Sequence, residues 1–303
     1  MQATTITKNK KIFGTLCGIG AAVCYGTNPL GARLYDEGMN PGSVLFWRFG
    51  LAWLIIATLM MLRKESLKIN RTEFLTLSCL GLLFLASSLT LYMSFRLMDV
   101  GVASTILFVY PVLTAAIMAI VFKEKLTAAT ALSIVLSFIG VALLYWTPDG
   151  GTLSPWGVVL VLISALTYSI YIIVMNRARL NMSSFKINFY VLIYCALGNM
   201  VVALMSNEGL VFPHTPSSWF YVGWLAIVPA ILALVMMVYA AKYIGSTPTA
   251  IMGALEPLTA VMIGIFLFDE QFTLNLAIGI VLIFSSVIII ALHSNKNNNI
   301  KDN

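Results

Sequence analysis

The sequence predicts an all-α integral membrane protein, with ten transmembrane helices laid out as two inverted five-helix repeats. Composition is the first reason: 60% of the residues are hydrophobic and 10% charged, with a mean hydropathy of +0.93, whereas a soluble domain keeps about a quarter of its residues charged. Length is the second, because apolar runs of about 20 residues, enough to cross the hydrocarbon layer, follow one another with short polar connections. Internal repetition is the third. Residues 94–127, ending in FKEKLT, are echoed 146 residues later by 240–273, ending in FDEQFT. Pro111 falls on Pro257, Phe122 on Phe268, Glu124 on Glu270 and Thr127 on Thr273, with basic Arg96 on Lys242. A mid-helix proline, a glutamate thirteen residues on, and a threonine opening the next apolar run make one plan written twice.

Residues 1–11, MQATTITKNKK, are polar and basic and form a cytoplasmic N-terminal segment. Segment 1, 12–34, is longer than a signal-peptide core and carries Asn28-Pro29 at its far end, so it reads as a retained helix. Its Gly14, Gly18, Ala22 and Gly26 recur every four residues, a small-residue stripe that lets a neighbouring helix approach closely. Segment 2, 41–62, holds Arg48 roughly 10 Å inside its first end. That side chain either snorkels to the interface or points inward at a carboxylate or backbone carbonyls. Segments 3, 4 and 5 are 73–97, 100–122 and 127–146, completing a first repeat at 12–147. The turn-rich TPDGGTLSP marks the midpoint. The second repeat, 155–292, has segments 6 to 10 at 155–175, 185–206, 218–241, 246–268 and 273–292. Segments 3 and 4, and again 8 and 9, are joined so tightly that each pair is an antiparallel hairpin. Residues 293–303 are a polar, disordered cytoplasmic tail.

Loop charge orients the chain. Fifteen basic residues fall on one side of these segments, and only Arg33 and Arg96 on the other. Both termini are therefore expected in the cytoplasm of a multi-pass protein of the cytoplasmic (inner) membrane. An even number of segments returns the chain to its starting side, and an odd number per half inverts one half against the other. The net charge of +6 follows loop position rather than forming a patch, so it reports topology and no nucleic-acid partner.

Three prolines stand near mid-membrane. Pro111, Pro229 and Pro257 free the carbonyls of Leu107, Leu225 and Gly253, which in hydrocarbon must face protein, water or ligand. Each is either a kink satisfied by a neighbouring helix or a helix break at a gate, and recurrence in both halves favours the gate for Pro111 and Pro257. Glu256 is an acid in mid-segment, where a charge costs roughly 2.5–3.5 kcal/mol even on lenient scales. It binds a substrate ammonium or carries a proton, unless it is a structural acid paired with Arg48 or a tyrosine. Its repeat counterpart is Tyr110. Tyr25, Tyr92, Tyr110, Tyr168, Tyr171, Trp224 and Tyr239, with Asn28, Met236 and Met237 close by, offer the stacking, cation–π and hydroxyl contacts that suit amphiphilic ligands. Interfacial anchoring is the alternative for such aromatics. Glu124 and Glu270, at membrane boundaries ahead of Thr127 and Thr273, are assigned to capping and topology at the helix starts that follow.

Other chemistry has no motif. Cys17, Cys24, Cys79 and Cys195 are isolated in apolar runs and read as free thiols. His214 and His293 make no metal site with them, and neither HExxH nor a phosphate-binding glycine loop occurs. No cofactor, metal or enzymatic activity is expected, and no domain outside the membrane is large enough to hydrolyse ATP. Energy comes from a gradient of substrate or of protons.

Ten segments in two halves, an arginine in segment 2, and the paired Pro, Glu and Thr of YPVLTA…FKEKLT and EPLTAV…FDEQFT resemble the EamA-type transporters of the drug/metabolite transporter superfamily. The resemblance covers about 12–292. Phe268-Asp269-Glu270 and Phe122-Lys123-Glu124 depart from the more usual Leu-Gly-Glu ending. It implies a central cavity lined chiefly by segments 1, 3, 4, 6, 8 and 9, exposed alternately by rocking or helix bending, and export as the commoner direction. The expected function is secondary transport of a small organic metabolite, amino acids or related amphiphilic amines first, by a monomer or weak homodimer in contact with membrane lipid. A solute that is only a carboxylate or only a cation fits less well, although one acid and one arginine match the two ends of a zwitterion. Import of a nucleotide-like or vitamin-like metabolite is the alternative within transport. A non-transporting scaffold or sensor is the alternative outside it, and gains little from costly polar breaks at midplane.

Overall fold

The computed structural model describes residues 2–123, 128–145, 153–178, 180–245, 249 and 252–301. Glu124 and Thr127, most of the midpoint connection and the start of segment 9 lie outside them. Every regular element among the described residues is helical. These are α1 (Gln2–Tyr25), a 3-10 stretch (Asn28–Tyr35), α2 (Pro41–Leu62), α3 (Arg71–Ser94), α4 (Val100–Leu107), α5 (Tyr110–Val121) and α6 (Ala128–Tyr145). There follow α7 (Pro155–Arg177), α8 (Ser184–Met205), α9 (Pro216–Ile227), a π-turn (Val228–Leu232), α10 (Ala233–Ile244), α11 (Leu255–Phe268) and α12 (Leu274–Lys301). Counting α4 with α5, and α9 with α10, six helices are long and apolar enough to cross a membrane, with three shorter apolar helices beside them.

The ends follow from local chemistry. Asn40 caps α2 by accepting the Ser43 N–H at 2.8 Å. Asn70 and Glu73 close a reciprocal capping box on α3, each bond 2.8 Å, and Thr215 with Ser218 does the same for α9. These satisfy donors that a helix start leaves orphaned.

Four segments depart from expectation. Segment 1 stops at Tyr25 and continues as the 3-10 stretch, because Pro29 has no N–H to carry the α pattern across Asn28-Pro29. Segment 4 is two helices, broken at Phe108 and Val109 just ahead of Pro111. Segment 8 runs on to Ile244 and is interrupted by the π-turn containing Pro229. In segment 9, Gly253 and Ala254 form a turn before α11, so both repeat-related prolines stand directly after a break.

Packing pairs three elements with their repeat counterparts: α2 lies along α8, α4 on α11, and α6 on α12. The other large contacts are α1 on α10 with, matching it, α7 on α3, and α3 on α8, matched by α9 on α2. A twofold relation between the halves produces this set of pairs. Small hydroxyls pin the seams, with Ser137 and Ser286 at 2.7 Å between α6 and α12 and Ser87 and Ser164 at 3.1 Å between α3 and α7. The glycine stripe of α1 is a packing surface. A Cβ on Gly18 would sit 2.6 Å from the Met252 sulfur, and one on Gly26 would collide with Thr259 and the Glu256 carbonyl.

Candidate functional site

The two broken helices set the site. Glu256 is the second residue of α11, directly after the turn, and its N–H donates to the Gly253 carbonyl at 2.9 Å. Its carboxylate has no hydrogen-bond partner and no cation at ion-pair distance among the described residues. The charge of Glu256 reaches Tyr25, Tyr110 and Tyr168, which bring phenols from α1, α5 and α7 within its field. Tyr110 opens α5 across the equivalent break, and the Ser169 hydroxyl of α7 donates to its carbonyl at 2.8 Å. Tyr110 meets Tyr168 edge-on with ring centres 4.8 Å apart, and Tyr168 stacks on Tyr171 at 5.8 Å.

The aromatic wall continues past the tyrosines. Phe84 lies 5.4 Å from Tyr171 and 5.8 Å from Phe49, and the Arg48 guanidinium stands 5.0 Å over the Phe49 ring. Arg48 is 6% exposed, so it points inward and does not snorkel. Its Nη1 donates to the Tyr92 hydroxyl at 3.0 Å, and that hydroxyl donates to the Asn28 carbonyl at 3.1 Å. Tyr35 fixes Tyr92 from the other side by donating to its carbonyl at 2.8 Å. The pairing of Glu256 with Arg48 does not form. Trp224 donates from Nε1 to the Thr27 hydroxyl at 3.2 Å, holding α9 to the end of α1. Pro229 is buried within the π-turn.

A third feature closes one end of the α4–α11 pair. Glu270 lies beyond α11 and accepts the N–H groups of Val100 at 2.5 Å and Gly101 at 3.0 Å. It therefore caps α4 of the other half, while Thr273 caps its own helix by accepting the Leu276 N–H at 3.1 Å. Two glycines clear the space. A Cβ on Gly101 would lie 2.8 Å from the carboxylate, and one on Gly264 would collide with it. The chain turns back through Asp269 in the left-handed region, φ 56°, and repeat-equivalent Lys123 has φ 54°. Glycine suits that conformation best, which is why Leu-Gly-Glu is the easier ending. Burial pushes the Glu270 carboxyl up to about 7, opposed by its two backbone N–H bonds and assisted by neighbouring Asp99. Burial raises Asp99 as well.

The sequence profile of the EamA-like transporter family matches residues 12–146 and 155–292. The chain belongs to that family. Among its relatives is an uncharacterized transporter of Archaeoglobus fulgidus, 28% identical over 277 residues, covering 91% of this chain and 96% of the relative. The uncharacterized inner membrane transporter YedA of Escherichia coli is 22% identical, with 92% and 90% covered, and the uncharacterized transporter YyaM of Bacillus subtilis is 20% identical, with 82% and 84% covered. A solved crystal structure shares the fold with a TM-score of 0.66 at 19% identity, covering 93% of this chain and 98% of the other.

In this EamA-like chain, the structure gathers Tyr25, Tyr110 and Tyr168 around Glu256, and Tyr92 and Asn28 around Arg48. Tyr239 stands apart from both groups. It is 42% exposed and packs on Phe13 and Tyr243 along the α1–α10 flank. Phe49 and Phe84, which join the two groups, carry no polar atom and stand out from no other phenylalanine in an apolar run. The Glu270 contact joins residues 170 positions apart and has no local signature.

Proposed function

We propose that this chain is a secondary transporter of small organic metabolites, amino acids or related amphiphilic amines first, moving them outward across the cytoplasmic membrane by alternating access. The observation that carries this reading is Glu256, a carboxyl with no protein partner, ringed by tyrosines from three helices and set at a helix break. An acid so placed needs a cation, a proton or water. A substrate ammonium or a coupled proton meets that need, and the tyrosines supply cation–π contact for an amine.

In this reading the ten apolar segments are spans in two inverted halves, with both termini cytoplasmic and monomers or weak dimers in the lipid. Glu270 then faces outside. The bonds from Glu270 to the start of α4 then close the outer end, and the solute enters from the cytoplasm. Pro111, Pro257 and Pro229 are the points where the helices bend as access switches.

Counterflow in proteoliposomes tests the reading, with vesicles preloaded with mixed unlabelled amino acids and entry of each labelled one followed. Transient accumulation of particular amino acids supports it, and acceleration by an inward proton gradient that is lost in Glu256→Gln points to Glu256 as the proton site. Absence of counterflow for every amino acid and amine, with accumulation of a nucleoside or vitamin instead, would replace the substrate class by the import alternative.

A further inference from the structure

Arg48 is a buried charge without a counter-ion. Its guanidinium keeps its proton in any protein setting, and it sits roughly 10 Å from the end of α2, yet no carboxylate forms an ion pair with it among the described residues. One edge is used: Nη1 donates to Tyr92. The other is unused, because Nε is buried and has no hydrogen-bond partner. That free edge presents two parallel N–H groups, the fork that matches a carboxylate bidentately. The rings of Phe49 and Tyr92 flank the cation at 5.0 and 5.8 Å and offset part of the burial, but they accept no hydrogen bond from Nε.

Two more orphaned atoms stand on residues linked to this corner. Asn28 Oδ1 is buried without a partner, on the residue whose carbonyl accepts from the same Tyr92 hydroxyl. Asn199 Oδ1 is likewise buried and unpartnered. It lies on α8, one turn past Cys195, a residue within reach of the Arg48 charge. Buried polar atoms in folded proteins are otherwise almost always satisfied. Here one donor edge and two acceptors are left over, the complement of a head group bearing one anion and one adjacent ammonium.

We propose that Arg48 binds the carboxylate of the transported solute, and that Asn28 and Asn199 accept from its α-ammonium, so that the Arg48 corner is a subsite for the head group of an α-amino acid. This rests on the transport reading above. The side chain of the solute then runs along Phe49, Phe84 and the tyrosines towards Glu256. Tyr92 is a positioning residue, since it holds Nη1 and leaves the Nε edge turned to the solute. The subsite discriminates: a solute lacking its carboxylate leaves a buried cation unmatched, a loss of at least tenfold for a charged hydrogen-bonded pair.

The test uses the whole protein in proteoliposomes and two matched series. L-phenylalanine and L-leucine are each compared, as counterflow substrates and as competitors, with their amides, which lose the carboxylate, and with their deaminated acids, which lose the ammonium. Wild type is expected to prefer each amino acid over both analogues by about tenfold or more. Arg48→Gln should remove the preference for acid over amide. Arg48→Lys, which keeps the charge but not the fork, should retain only part of it, and Tyr92→Phe should reduce it less. The wild-type comparison needs no variant, so a folding failure of Arg48→Gln leaves the proposal exposed to refutation. Equal handling of acid and amide by wild type, or an unchanged ratio in Arg48→Lys and Arg48→Gln, overturns the subsite while leaving transport standing. Failure of wild type to exchange any amino acid or analogue overturns the amino-acid substrate class and the subsite with it, and leaves transport of another metabolite standing.

Discussion

Two carboxyls carry opposite burdens at the residue scale. Glu256 is unsatisfied by protein and Glu270 is satisfied by two backbone N–H groups, so loss of charge affects them differently. Glu256→Gln keeps the shape and removes the ionisable group. Counterflow of amines by that variant should fall at least tenfold and lose its dependence on pH, and wild-type transport with an intact pH profile would contradict the role given to Glu256. Lys123 and Asp269 test the backbone. Both hold left-handed φ, so glycine at either position should be tolerated, while Asp269→Val should cost about 1–2 kcal/mol, read as a lower unfolding temperature in detergent. Glu256 was legible in the sequence because an acid in an apolar run is anomalous on its face. Arg48 was equally visible, but its inward aim, and the absence of a partner, required the packing of α2 on α8 and the Tyr92 bond.

At the scale of elements, the breaks matter more than the helices. Pro111 and Pro257 marked where segments 4 and 9 interrupt, since a missing N–H has local consequences that a sequence displays. The contact that joins those segments did not show, because Glu270 reaches a helix start in the other half and its own neighbours describe only a helix end. That contact predicts a pH response. The Glu270 carboxyl stands at about 7 in the closed end, against an ordinary 4.5 when released into water. The closed form therefore binds the proton more tightly, and linkage makes closure strongest below about 4.5 and weaker as pH rises through about 7. In a cysteine-free background, a thiol at Val102 should react with an external reagent faster at pH 8 than at pH 5, by several-fold, and Glu270→Gln should flatten the profile. Gly264→Ala places a methyl where the carboxylate lies and should raise external reactivity at every pH. Pro257→Ala restores a backbone donor in the first turn of α11 and lets the helix continue across the break, so it should slow exchange.

For the whole molecule, composition and the internal repeat were enough to read a membrane protein in two halves, and the pairing of α2 with α8, α4 with α11 and α6 with α12 is the arrangement those halves adopt. The aromatic wall between Arg48 and Glu256 emerged only from the fold, because its two phenylalanines are invisible among seventeen. Alternating access requires that one cavity, lined by Tyr171 and its neighbours, be open to one side at a time. It is tested by a single cysteine at Tyr171 in a cysteine-free background, labelled with a membrane-impermeant maleimide in inside-out and right-side-out vesicles. The wild-type frame should label from the cytoplasmic face, and adding Gly264→Ala should move labelling towards the outer face. Labelling from neither face in either frame, or equally from both in the wild-type frame, would contradict alternating access around this cavity.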